Sequence, residues 1–141
     1  MSPLFRCRIR VPRHSSKKNE KEPARRGART FIKKTSAAQY VEGWMIRLLR
    51  IEKLKSRIDE PIACDVRAVF KFYFPASVYF NKKGARSKTL PDLSNLYQLP
   101  EDVLQKVGII LNDTQVESHD GSRRLPIEGS EYWLEIELFS L

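Results

Sequence analysis

From Cys64 to Phe74 the chain alternates with a period of two. Cys64, Val66, Ala68, Phe70, Phe72 and Phe74 fall on one side, and Asp65, Arg67, Val69, Lys71 and Tyr73 on the other. Successive side chains of a strand point to opposite faces, so this stretch predicts a β-strand with one wholly apolar face, ended by Pro75. An apolar sheet face has to be covered by another layer. The rest of the chain must therefore supply both strand partners and a helical cover.

Two other stretches have the same period. Phe5, Cys7, Ile9 and Val11 alternate with Arg6, Arg8 and Arg10 until Pro12. Tyr132, Leu134, Ile136 and Leu138 alternate with Glu131, Trp133, Glu135 and Glu137. Each predicts a half-buried strand, 4–11 and 131–139. Residues 116–127 predict a weaker strand, with Gly121 marking a bulge or turn. Helical spacing replaces the period of two after Thr35 and Ser36, both good N-cap residues. Ala37, Val41, Trp44, Leu48 and Ile51 form one stripe, so a helix is expected over 36–52 with Trp44 in the core. Leu96, Leu99, Val103, Leu104 and Val107 form a second, with Gly108 suited to the position just past the helix end. Pro100 tolerates only first-turn placement, so this helix starts near 97–99 or bends at Pro100.

These elements give an α/β fold of the α+β kind: a single domain over 1–141, with a mixed sheet of about four strands and two helices in the order β-α-β-α-β-β. A chain of 141 residues is long enough to bury a core without staples. Residues 13–34 hold nine Lys and Arg against Glu20 and Glu22, and read as a basic loop, solvated or ordered on phosphates. The loop at 76–91 carries further cations. The net charge of +9 favours a polyanionic partner, with nucleic acid ahead of an anionic membrane. Cys7 and Cys64 have no metal spacing and read as two reduced core thiols. No apolar run is long enough to span a bilayer and no signal-like core precedes the first strand, so a cytosolic location is expected.

Acidic side chains gather around the second helix: Asp92 before it, Glu101 and Asp102 near its start, Asp113 after it, and Asp120 further on. One reading is a capped, solvated helix, with Glu101 and Asp102 offsetting its dipole. The other is convergence of two or three carboxylates on Mg²⁺, assisted by amide oxygens of Asn95 and Asn112. Such an ion, in a basic protein, suits cleavage of a nucleic-acid backbone. His14 and His119 stand alone and read as surface residues, with His119 a weak catalytic candidate.

Pro91-Asp92-Leu93-Ser94-Asn95-Leu96, then Asp102, then Gly108-Ile109-Ile110-Leu111-Asn112-Asp113-Thr114-Gln115-Val116 resembles the RusA family of Holliday junction resolvases. The resemblance implies a dimeric, Mg²⁺-dependent endodeoxyribonuclease that nicks four-way DNA junctions in recombination and repair, with Mn²⁺ as the alternative metal. By position it implies catalytic roles for Asp92, Asp102, Asp113 and Gln98, and a metal set of Asp92, Asp113, Ser94 and Asn95. It implies DNA contacts by Arg13, Lys17, Lys18, Arg25, Arg26, Arg29, Lys33, Lys82, Lys83, Arg86 and Lys88. Three positions depart from the family pattern. Ser94 stands where a second aspartate is usual, Gln98 where a lysine is typical, and Asn112 in place of the first member of a late acidic pair. An active variant with a rearranged site and a junction-binding relative with reduced cleavage are both consistent with this pattern.

Overall fold

A computed structural model describes residues 2–15, 21–26, 29–34 and 36–141, with residues 21–26, 29–34 and 36 described through their backbone. The main sheet has five strands. Strand β1 (Phe5–Val11) pairs antiparallel with β7 (Tyr132–Ser140), and β7 pairs antiparallel with β4 (Val66–Pro75). The far edge of β4 pairs in parallel with two short strands, β5 (Val116–Ser118) and β6 (Arg123–Ile127). Helix α1 (Ser36–Lys55) and helix α4 (Gln98–Lys106) cover the apolar face, and two one-turn helices, α2 (Ala76–Tyr79) and α3 (Leu93–Leu96), precede α4. This is a single α+β domain with the expected order of main elements.

The period of two sets the register. Phe5, Leu138 and Ala68 lie in one row across β1, β7 and β4; Cys7, Ile136 and Phe70 form the next, and Ile9, Leu134 and Phe72 the third. All nine side chains are buried. A register slip of one residue would turn each row to the outer face, so burial fixes the pairing. Each of the Phe, Leu and Ile side chains among them contributes about 1.5–3 kcal/mol. The outer rows carry opposite charges: Arg6 faces Glu137, and Arg8 faces Glu135, which in turn faces Lys71. The Arg6 to Glu137 ion pair spans 3.5 Å, and the Arg8 guanidinium lies over the rings of Tyr73 and Trp133.

Helix α1 buries Ala38, Val41, Met45 and Leu49, a stripe rotated from the expected one. Trp44 is therefore only half-buried, its indole N–H donating to the Arg10 carbonyl at 2.8 Å. Ile51, expected on the inner stripe, is exposed. Helix α4 ends in a Schellman motif. Gly108 has φ of 78°, its N–H donates to the Gln105 carbonyl, and Ile109 N–H donates to Leu104. Lys53 of α1 donates to the Val107 carbonyl at 3.1 Å, and Lys106 pairs with Glu42. The two helices are thus joined at their polar edges as well as through the core.

Four further expectations need correction. The loop expected over 13–34 contains a hairpin, β2 (Lys21–Arg26) and β3 (Arg29–Lys34), paired antiparallel in a separate two-stranded sheet. The single strand expected at 116–127 is two strands. Cys64 is exposed, while Cys7 is buried and burial pushes its thiol up to about 12. His14 is buried rather than on the surface. Its Nε2–H donates to the Tyr73 carbonyl at 2.8 Å, and its ring packs edge-on against Phe72, Phe74 and Tyr132.

Burial lowers the His14 pKa from 6.5 to about 4. Between those values the unfolded chain binds a proton that the folded chain excludes, so stability falls as pH falls through this window. Linkage gives a loss of about 2 kcal/mol from pH 7 to pH 5 from this group. Urea unfolding at the two pH values is expected to show that loss in the wild type and to show it largely missing in His14→Gln. Equal pH dependence in both proteins would refute the assignment.

Candidate functional site

Helix α3 begins at Asp92, which occupies the N-cap position with extended backbone, φ −61° and ψ 142°. Its carboxylate makes no capping hydrogen bond, although this is a favoured use of aspartate at that position. Asp92 instead lines an open cleft of about 580 Å³ whose walls include Tyr79, Phe80, Arg86, Lys88 and Arg124. Arg124, on β6, donates to the Pro91 carbonyl at 2.9 Å and so fixes the entry to α3. Ser94 and Gln98 are exposed and Asn95 is half-buried. Neither Asp102 nor Asp113 lines this cleft.

The segment after α4 is held by one side chain. Gln115 is buried, and its Oε1 accepts from the N–H groups of Leu111 and Asn112 at 2.7 and 2.8 Å. Its Nε2 donates to the carbonyls of Ile62 and Cys64 at 2.8 and 2.9 Å. Asn112 caps the short 3-10 turn Asp113–Gln115, its side chain accepting from Thr114 N–H at 3.0 Å. The backbone N–H of Asp113 donates to Gln105 of α4 at 3.0 Å. Asn112 is thus engaged in local structure, while Asp113 is exposed at the first position of the turn.

A second polar group lies where α4 meets the β5–β6 edge. Between those strands the chain turns at Gly121, with φ of 97°, and Ser122 N–H donates to the His119 carbonyl at 2.9 Å. The turn brings the His119 ring face-to-face with Tyr97, 3.9 Å between centroids and 7° between planes. Its Nε2 bonds the Glu101 carboxylate. Burial, reinforced by the negative charge of Asp113, holds the Glu101 carboxyl above its ordinary pKa, against the pull of His119. Burial also raises the Tyr97 hydroxyl. Glu101 therefore does more than offset a helix dipole, and His119 is no isolated surface residue. The sequence signal for this pairing was Gly121, whose turn lets His119, just past β5, reach back over α4.

The structure brings Asp113 within electrostatic reach of Glu101, and Asp92 together with Arg86 and Lys88. Asp102 is half-buried on α4. Lys82 and Lys83 are exposed at the tip of the loop after α2, whereas Arg13 is half-buried. Arg25, Arg26, Arg29 and Lys33 lie on the hairpin strands, and Lys17 and Lys18 lie outside the described residues. Tyr79, Phe80 and Arg124 join the cleft without having been singled out in the sequence. They come from a one-turn helix and an edge strand that only the fold places beside α3. Among the described residues, no three His, Cys, Asp or Glu side chains form a ready-made metal cage. Mg²⁺ needs no such cage, since it is commonly held by one or two carboxylates with waters and substrate phosphate. The uncapped carboxylate of Asp92 meets that donor requirement. Comparison with protein-family models finds no match, and comparison with curated proteins finds none.

Replacing Gln115 by alanine removes a buried side chain that satisfies two N–H groups and two carbonyls. Gln115→Ala is expected to cost about 2–4 kcal/mol, read from the urea unfolding midpoint. A loss below about 0.5 kcal/mol, the size of an ordinary surface substitution, would show that the segment is held by something else.

Proposed function

We propose that the chain is a Mg²⁺- or Mn²⁺-dependent endodeoxyribonuclease selective for four-way DNA junctions, acting as a homodimer in the cytosol. The observation that carries this reading is the setting of Asp92: an uncapped carboxylate in a cleft that also presents Arg86, Lys88 and Arg124. A carboxylate attracts a cation and the three basic groups attract a phosphate, and backbone cleavage needs both. The likeness of residues 91–116 to the RusA resolvases supports the same chemistry. No helix among the described residues is long and apolar enough to cross a membrane.

In this reading Asp92 holds the ion at the cleft, with Ser94 and Asn95 as neutral oxygen donors, and Asp113, which does not line the cleft, has its metal role from the likeness to the RusA pattern alone. The bound ion would polarise a phosphoryl oxygen and lower the pKa of a coordinated water. Arg86, Lys88 and Arg124 hold the phosphate by charge-assisted hydrogen bonds. Gln98 donates a neutral hydrogen bond where a lysine would add charge. Lys82, Lys83 and the hairpin cations Arg25, Arg26, Arg29 and Lys33 follow the backbone of the junction arms, which is read by shape and charge. The outer-face arginines Arg6, Arg8 and Arg10 are set apart from this role by their partners Glu137, Tyr73, Trp133 and Glu131.

A second reading, a junction-binding relative without cleavage, is favoured by the exposure of Ser94 and Gln98 at positions where charged groups would act. A synthetic four-way junction, end-labelled and incubated with Mg²⁺ or Mn²⁺, separates the two. Nicking is expected for the wild type, and Asp92→Asn and Asp113→Asn are each expected to reduce it at least about 100-fold while binding is retained. Tight binding with no nicking in either metal would leave the binding reading alone. Affinity is expected to fall steeply between 50 and 200 mM salt, by about 10³-fold if six phosphates are neutralised.

A further inference from the structure

The cleft beside Asp92 has an apolar wall that phosphate chemistry does not explain. Phe80 is 40% exposed. It lines the cleft with Tyr79, the two rings edge-to-face at 4.9 Å and 80°. Opposite in chemistry are Arg86, Lys88 and Arg124, against the single charge of Asp92. The volume of about 580 Å³ lies within the range of about 300–1,000 Å³ typical of ligand clefts.

The aromatic wall is mounted on a braced loop. Phe80 and Arg86 form an antiparallel bridge, and Ser87 N–H donates to the Tyr79 carbonyl at 2.7 Å. Within the loop, Asn81 N–H donates to Ala85 at 2.7 Å. The Asn81 side-chain oxygen accepts from Lys83 and Ala85 N–H at 2.9 and 3.0 Å. Gly84 takes the φ of 80° that closes the turn. Arg124 is fixed from the other side through Pro91. A guanidinium has five N–H donors, so this bond leaves others for a ligand. The backbone that carries the ring and the Arg124 side chain are therefore held in place before anything binds, which lowers the ordering cost of binding.

A flat aromatic face beside several cations matches a nucleotide, with the base on the ring and the phosphate on the basic groups. In a duplex the faces of the bases are covered by their neighbours. Only a nucleotide that has left the stack can reach such a wall. We propose that this cleft takes one unstacked nucleotide of a DNA strand, its base against Phe80 and its phosphate among Arg86, Lys88 and Arg124. The proposal rests on the nucleic-acid reading above and adds to it what distinguishes the substrate: an unpaired or opened base step rather than continuous duplex.

The test uses full-length protein in EDTA, so that no cleavage occurs. Four-way junctions carry a single 2-aminopurine, either at the branch point or in mid-arm, and a single-stranded oligonucleotide carries the same probe. The wild type is expected to change the fluorescence of the branch-point and single-strand probes and leave the mid-arm probe unaltered. Phe80→Ala, checked for folding by far-UV circular dichroism, is expected to lose that change and bind the single strand about tenfold more weakly. Phe80→Trp is expected to retain both. Equal fluorescence responses in wild type and Phe80→Ala, or equal responses at the branch point and in mid-arm, would overturn the assignment. Binding of free dAMP as tight as that of the oligonucleotide would overturn it in favour of a mononucleotide ligand. If the wild type nicks junctions and Phe80→Ala shows an unchanged probe response, the nuclease reading stands and this inference falls. If the wild type binds no DNA, both fall.

Discussion

Strand β4 has backbone hydrogen-bonding groups along two edges, and both need partners. Strand β7 satisfies one edge continuously. The other is satisfied in pieces, by β5 near Val66 and by β6 from Lys71 to Pro75. The interval between them is closed by a single hydroxyl: Ser122 Oγ accepts from Phe70 N–H at 2.9 Å and donates to the Ala68 carbonyl at 3.3 Å. Buried backbone groups are costly to leave unpaired, so this hydroxyl lets the edge be interrupted without loss. The interruption frees residues 119–121 to leave the sheet. His119 then reaches Glu101 and Tyr97, and β6 resumes in the register that points Arg124 at Pro91. Both polar groups around α4 therefore depend on how one edge of β4 is completed.

The same sheet decides where the positive charge can act. The net charge of +9 is not spread evenly. On the outer face, cations of β1 and β4 stand across from Glu135 and Glu137 on the central strand, and Tyr73 donates a hydrogen bond to Glu135. Cross-strand pairs of this kind stabilise the sheet and neutralise its surface. Away from those strands, Lys82, Lys83, Arg86 and Lys88 are exposed on the loop after α2. A basic isoelectric point alone gives no direction to such a field. The alternation of arginine on β1 with glutamate on β7 does, because it removes one face of the molecule from consideration.

The three long strands were legible because burial on one face imposes a period of two. Helix α4 was legible for a different reason: Pro100 and Gly108 restrict its two ends, and it runs from Gln98 to Lys106 between them. The features that escaped are those whose signal is not periodic. His14 is polar by composition, yet a buried carbonyl at Tyr73 and three aromatic rings give it a partner and a pocket. The hairpin β2–β3 has too little apolar content to show an alternation. Trp44 was misplaced because the α1 stripe is broad and Met45 and Leu49 compete for the inner position. Asp92 stands out in the sequence by its motif, but Phe80 and Arg124, which line the same cleft, do not. Their proximity to Asp92 is made by tertiary structure alone.

The departures from the RusA-like pattern divide once the geometry is considered. Asn112 sits at a cap, and its side-chain oxygen accepts from Thr114 N–H while Gln115 reaches back to its backbone. Aspartate and asparagine cap helices about equally well, so the residue here keeps the local fold and gives up only a charge. That charge would stand close to Asp113, and through it to the buried carboxyl of Glu101, whose pKa Asp113 already raises. A neutral residue at 112 therefore adds no further repulsion beside Asp113 and Glu101. No such compensation surrounds Ser94 or Gln98, which are exposed and make no capping contact with α3 or α4. Neither is held by a cap or by burial, so the local fold places no demand on the identity of either.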